Sequence, residues 1–414
     1  MRHRSGQLIA PAVIAMVLVA AWAGAADEQC QECHGSADQV AAAAEAFELK
    51  LPPEKAALLV VPAMATGSVH EGMACVDCHP RAEEIPHPSD LLAGNPCATC
   101  HEDAVAAVNT SVHRDPRGGS DLVAPCWGCH GAHDVRRKTE AGSSVGAFRI
   151  ADRCLSCHVQ KEYLSGVHGH AVQQAGLDVA ATCASCHGSH DILSSRDIGS
   201  RTKRRNVSFT CGKCHGRIAD TYRTSVHGAA ITKDDNPDVP TCVDCHEPHG
   251  TRDPNQASFR VSSPTMCARC HADSALMAKY GLSTKVFSTY VADFHGTTAQ
   301  LFQAVSPDAP LNQAVCYDCH GVHDIASIRG VGQEQINARM LERCQACHLN
   351  AEASFFTAWT GHYEPSRDKY PMIYWVNFFY KLVIPGTVGF FILYIALDWW
   401  ARRRGRGHGH GGAA

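Results

Sequence analysis

Residues 183–191 read Cys183-Ala184-Ser185-Cys186-His187-Gly188-Ser189-His190-Asp191, and the same spelling returns along most of the chain. The ending C-x-x-C-H-G-x-H-D recurs at Cys126 to Asp134 and at Cys316 to Asp324. A related form, C-x-x-C-H-x-x-H, runs from Cys242 to His249. Ahead of each lies another C-x-x-C-H, beginning at Cys97, Cys154, Cys211 and Cys267, so a paired unit repeats every 56 or 57 residues. Between the two motifs of a unit stands a histidine, often inside Ser-Val-His, followed by a loop rich in Pro, Gly and Asp.

Working outward, the full set of motif residues is Cys30, Cys33 and His34; Cys75, Cys78 and His79; Cys97, Cys100 and His101; Cys126, Cys129 and His130; Cys154, Cys157 and His158; Cys183, Cys186 and His187. It continues with Cys211, Cys214 and His215; Cys242, Cys245 and His246; Cys267, Cys270 and His271; Cys316, Cys319 and His320; and Cys344, Cys347 and His348. Eleven motifs use all 22 cysteines of the 414-residue chain. Two thiols two residues apart can add to the two vinyl groups of one haem, and the next histidine then becomes the proximal iron ligand. Structural zinc would need tetrahedral sets of partner ligands, and disulfides or thioredoxin-like pairs give no reason for a histidine after every second cysteine. The expected cofactor is therefore haem c, about eleven copies, covalently attached.

A second histidine on each iron requires eleven more imidazoles. Candidates are His70, His87, His113, His133, His168, His190, His227, His249, His295, His323 and His362, with His170 as a spare because His168 aligns with His113 and His227. A histidine three residues after the proximal one cannot easily reach the far face of its own haem. His133, His190, His249 and His323 are thus expected to serve neighbouring haems. With both axial positions filled, no iron is open to substrate, and electron transfer is the expected role. The competing class is a catalytic multihaem oxidoreductase acting on nitrogen or sulfur compounds at one five-coordinate haem. No C-x-x-C-K announces one, and His87 or His295 would be the distal ligand to fail. No catalytic residue is assigned.

The units fall at about 30–87, 97–133, 154–190, 211–249, 267–323 and 344–362. Each is too small and polar to bury a core alone, and no segment alternates as a sheet strand would. The expected fold is mainly α with extensive loops, short helices wrapped around stacked haems, very little strand and one C-terminal membrane helix. The alanine-rich Val40 to Phe47, the apolar Leu58 to Val61 and the segment Leu276 to Phe294 read as stretched insertions, the last helical. Residues 1–25, with Arg2, Arg4, an apolar stretch and Ala23-Gly24-Ala25, have the three parts of a secretory signal. Residues 371–400 form an apolar span with an outer interfacial segment, and Arg402, Arg403, Arg404 and Arg406 open a tail, 401–414, expected in the cytoplasm. The domain of residues 26–370 would then face the periplasm from the bacterial inner membrane. A net charge of −4 gives no basic face for nucleic acid.

The repeated motifs, the Ser-Val-His segments and the C-x-x-C-H-G-x-H-D endings resemble the multihaem c-type cytochromes of respiratory bacteria, from Cys30 to His362. The resemblance implies close-packed haems in parallel and perpendicular pairs. It also implies a place in respiration, between a quinol-oxidising membrane subunit or b-type cytochrome and periplasmic or outer-membrane cytochromes. The segment from Trp375 to Trp400 has no histidine, so any b-type haem would belong to a partner. Electrons are expected to enter near Cys344, Cys347 and His348, the motif closest in sequence to the membrane.

Overall fold

The computed structural model describes residues 28–52, 56, 67–88, 95–114, 125–310, 312–327, 331–357, 361–362, 364–368 and 370–406. The signal segment 1–25, the apolar Leu58 to Val61 and the end of the tail lie outside them. Among the described residues every regular element is helical and most are shorter than three turns. The chain divides into two compact units, Met1–Asp253 and Pro254–Ala414.

The attachment motif itself makes a helical turn. The amide of the motif histidine donates to the carbonyl of the first cysteine at 2.9 Å in His79, His101, His158 and His215, and at 2.8 Å in His348. Residues three and four apart share a helix face, so one turn presents both thiols and the imidazole on the same side. The first motif of a pair closes a helix, as in Ile150–Leu155, Val207–Gly212 and Ala257–His271. The second opens one, as in Cys126–His130, Cys183–His187, Cys242–His246 and Cys316–His320.

These one-turn helices are held at their entry by the residue before the second cysteine. Asp244 accepts from the Thr241 amide at 2.6 Å, Asp318 from the Val315 amide at 2.7 Å and Asp77 from the Ala74 amide at 2.8 Å; Ser185 does the same for Thr182 at 3.0 Å. Two of the carboxylates are clamped again from the preceding helix: Arg204 meets Asp244 at 3.1 Å and Arg260 meets Asp318 at 2.8 Å. Both arginines stand seven residues before a first-motif cysteine. The copy with Ser185 in place of the acid has Ala147 in place of the arginine. In the longest of these helices Pro264 withdraws a backbone donor from Arg260, and the Ser263 hydroxyl donates to that carbonyl instead, at 2.7 Å.

Little apolar side-chain mass is buried by protein alone. Sixteen hydrophobic residues are buried among those described, six of them alanine. In the second unit Val261, Ala299 and Val315 form a small cluster with Phe302 and Tyr317 packed on it. In the first, the motifs surround a continuous cavity of about 3530 Å³. A pocket for one small cofactor occupies about 300–1,000 Å³. The cavity therefore has room for several.

The insertion Leu276 to Phe294 is helical as read: it overlaps the helix Ser274–Lys279 and holds Val286–Val291; the earlier stretch lies largely in the helix Ala37–Ala46, capped by Ser36, whose hydroxyl accepts from the Gln39 amide at 3.2 Å. At the C-terminus Pro371–Arg406 is one helix that runs through Pro385. Residues Pro371–Arg404 are long and apolar enough to cross a membrane, with mean hydropathy 1.8 and no part buried. Arg403 and Arg404 lie over the rings of Trp399 and Trp400, at 4.0 and 3.7 Å.

The turn after the second motif of the four middle repeats, those beginning at Cys126, Cys183, Cys242 and Cys316, needs a positive φ with extended ψ, a region close to glycine-only. Gly131, Gly188 and Gly321 adopt it at φ 81°, 92° and 86°. Glu247 holds the same position at φ 63° and ψ 142°. Its ion pair with Arg252, at 3.4 Å and substantially solvated, offsets little of that strain. Glu247→Gly is expected to raise stability by about 1 kcal/mol, and Gly188→Ala to lower it by about 1–3 kcal/mol. Calorimetric melting checks both, and a Glu247→Gly chain melting below the parent would refute the strain argument.

Candidate functional site

The motif imidazoles stand opposite other imidazoles at a nearly constant distance. In the first unit His34 faces His87 with ring centroids 5.9 Å apart, His70 faces His101 at 6.0 Å and His79 faces His133 at 6.4 Å. The series continues with His113 and His158 at 6.2 Å, His130 and His190 at 5.8 Å, His168 and His215 at 6.2 Å, and His187 and His249 at 6.1 Å. In the second unit His295 faces His348 at 6.3 Å and His320 faces His362 at 6.0 Å. The other four predicted ligands, His227, His246, His271 and His323, have interactions of their own. His170 is exposed and stands in none of the nine pairs.

That spacing suits a metal between the rings. Imidazole nitrogens bind a metal at about 2.0–2.1 Å, so two rings on opposite sides of one ion have centroids roughly 6 Å apart. Thiols at the first and fourth positions of the same turn complete a cradle for covalently held haem, and the residues present fit the group. His87 is oriented by its own Nδ1, which donates to the Glu84 carbonyl at 2.8 Å and leaves Nε2 for the iron. His362 has Thr289 Oγ1 3.4 Å from Nδ1.

Burial, then the facing imidazole, lowers the pKa of His79, His113, His130, His168 and His187 below the ordinary histidine value. The same two causes act on His320. The neutral ring is the form that coordinates iron.

The pairs follow a register that spacing alone leaves open. Three C-x-x-C-H-x-x-H endings place their second histidine opposite the second motif of the preceding repeat: His133 with His79, His190 with His130, His249 with His187. Four histidines between motifs stand opposite the first motif of the following repeat: His70 with His101, His113 with His158, His168 with His215, His295 with His348. The ends are filled from within, by His87 and His362. The histidine nearest the apolar helix, His362, thus belongs with the Cys316 motif, not with the Cys344 motif that sequence order places next to the membrane.

Backbone contacts pin this register. The valine amide beside the histidine donates to the carbonyl two residues after the H-x-x-H ending of the next unit: Val69 to Val135, Val112 to Ile192 and Val167 to Thr251, each at 2.8 Å. Neither these valines nor Arg204 and Arg260 carry a ligand, and motif spacing passes them over. Their signal was the equal distance of each from a cysteine or histidine in successive copies.

A protein-family profile described as a doubled CXXCH motif matches residues 233–276, which hold the Cys242 and Cys267 motifs. The chain is 26% identical over 241 residues to a protein named multiheme cytochrome MtrA from Shewanella baltica (strain OS185), a match covering 56% of this chain and 62% of that protein. The chain thus matches about three fifths of the length of that curated relative. No solved structure matches. Motifs, facing imidazoles and both matches support a multihaem c-type cytochrome with covalently bound haem c.

Ring orientation divides the pairs. His34 with His87, His130 with His190, His187 with His249 and His320 with His362 are inclined by only 14–28°. The pairs made by His70, His113, His133, His168 and His295 are inclined by 43–64°. Aligned and crossed imidazole planes split the iron d orbitals unequally, so electron paramagnetic resonance of the ferric protein is expected to show two low-spin populations. His190→Ala should convert one haem to a high-spin, carbon monoxide-binding form, and His170→Ala should convert none. A carbon monoxide-binding haem in His170→Ala, or none in His190→Ala, would overturn the axial pairs.

Proposed function

We propose that the chain is a membrane-anchored electron relay, loaded with about eleven haems, that connects a quinol-linked membrane partner with periplasmic or outer-membrane cytochromes. One observation carries this reading: from the Cys75 motif to the Cys242 motif in the first unit, and from the Cys267 motif to the Cys344 motif in the second, attachment sites adjacent in sequence are adjacent in space. In the first unit the thiol of Cys78 lies within electrostatic reach of Cys100, Cys97 contacts Cys126, Cys129 is near Cys157, Cys154 contacts Cys183, Cys186 is near Cys214, and Cys211 contacts Cys242. In the second, Cys267 contacts Cys316, and Cys319 is near Cys344. First cysteines meet inside a repeat and second cysteines meet between repeats of the first unit.

Haem iron with two histidine ligands supplies a one-electron couple and leaves no coordination position for substrate. The chain's own part is to set the imidazoles opposite one another, fix their planes and keep neighbouring attachment sites close. The apolar helix Pro371–Arg404 is read as the anchor, with Arg402 to Arg404 on the cytoplasmic side and the motif-bearing units outside. The match to a multiheme cytochrome supports the haem-bearing role; the membrane partner follows from the anchor and the resemblance.

The test is purification of the full chain from detergent-solubilised membranes. Intact mass should show eleven haem additions, the ferrous protein should bind no carbon monoxide, and a quinol-oxidising membrane subunit should copurify. A five-coordinate haem turning over a nitrogen or sulfur oxyanion would replace the relay by an enzyme.

A further inference from the structure

Three tyrosines recur at one position that no ligand or attachment role explains. Tyr163, Tyr222 and Tyr290 each stand five residues before a histidine that is itself followed by glycine: His168-Gly169, His227-Gly228 and His295-Gly296. The phenol of each donates to the carbonyl two residues before the first cysteine of its unit's second motif: Tyr163 to Ala181 at 2.9 Å, Tyr222 to Pro240 at 2.6 Å and Tyr290 to Ala314 at 3.1 Å. Donor and acceptor are 18, 18 and 24 residues apart. The contact is kept although the loop length changes. The rings of Tyr222 and Tyr290 are buried at 8% and 7% exposure.

The other end of each tyrosine is also fixed. Its carbonyl accepts the amide that opens the next helix, from Gly166 at 3.2 Å, Ser225 at 2.9 Å and Asp293 at 3.1 Å. A Cβ on Gly169, Gly228 or Gly296 would collide with that same carbonyl. Glycine after the histidine is therefore required by the turn that the tyrosine makes. One residue thus ties two haem-bearing elements: the helix that offers an imidazole to the next site, and the helix that carries the thiols of its own unit. In the unit of residues 97–133 the equivalent position is Val108, which has no hydroxyl to give.

We propose that Tyr163 and Tyr290 are positioning residues that set the separation between consecutive haems: Tyr163 between the Cys183 and Cys211 sites, Tyr290 between the Cys316 and Cys344 sites. Tyr163 does so because His168 faces His215 while its phenol holds the turn into Cys183. Tyr290 does so because His295 faces His348 while its phenol holds the turn into Cys316. The inference rests on the axial pairs proposed above.

The experiment uses the full haem-loaded chain in detergent, with Tyr163→Phe, Tyr290→Phe and the double variant, and Tyr394→Phe in the apolar helix as control. Electron redistribution after flash photoreduction is expected to slow several-fold in each single variant and further in the double, with eleven haems retained by intact mass and no change in the control. Unchanged redistribution with only a lower melting temperature would overturn the proposal and leave a purely structural hydrogen bond. Should haem be lost, loss confined to the two sites flanking the substituted tyrosine supports the proposal, and loss spread over all sites refutes it. Low-spin resonance and absent carbon monoxide binding in the parent chain test the axial pairs separately, so failure of that reading is distinct from failure of this one.

Discussion

Everything in this chain depends on imidazoles that meet across a gap of about 6 Å from different repeats. A motif turn can present two thiols and one histidine by local hydrogen bonding alone, but it cannot supply the opposite ring. In eight of the nine pairs that ring comes from the repeat before or after, and only His34 takes it from its own repeat, from His87. The buried protein core can be as sparse as it is because the space between repeats is made for planar apolar groups and not for side chains. Loop lengths vary freely under this arrangement, since only the two ligand-bearing turns must meet.

The register explains the irregular ends. The repeats 97–133 and 154–190 each give one histidine backward, from the H-x-x-H ending, and one forward, from the segment between their motifs. His34 is faced by His87 of its own repeat, eight residues beyond His79, and His320 by His362, from the shortened repeat that follows. The two departures from the repeat in the sequence are thus the two sites whose opposing ring comes from outside the regular positions.

Much of this was legible from spacing. The cysteines and motif histidines identify themselves through local chemistry, and the singling out of His170 needed only the alignment of Val167-His168 with Val112-His113. The choice of partner for each ring was less accessible, because it is set by contacts between segments tens of residues apart, such as the Val112 amide on the Ile192 carbonyl. The tyrosines were hidden for a different reason. Counted from the motif histidine behind them they fall at five, seven and nineteen residues, which looks like no pattern; counted to the histidine ahead, the distance is five each time. Arg204 and Arg260 were hidden because the carboxylates they hold sit in the variable positions of the motif.

The same distinction between order in sequence and order in space bears on the anchor. Only eight residues lie between His362 and Pro371, a stretch that reaches about 30 Å at full extension. His362 is held in place by facing His320 and by Thr289, and two residues on Glu364 pairs with Lys285 at 3.5 Å. The apolar helix is thereby tethered to the Cys316 site through one of that site's own proposed ligands. A pull or rotation of the helix would act first on the His320 and His362 pair. The last motif in the sequence takes its opposing ring from His295, in the unit before it, and so is not tied to the apolar helix through its facing histidine. The site coupled to that helix is therefore the tenth in sequence, with the eleventh as its neighbour through Cys319 and Cys344.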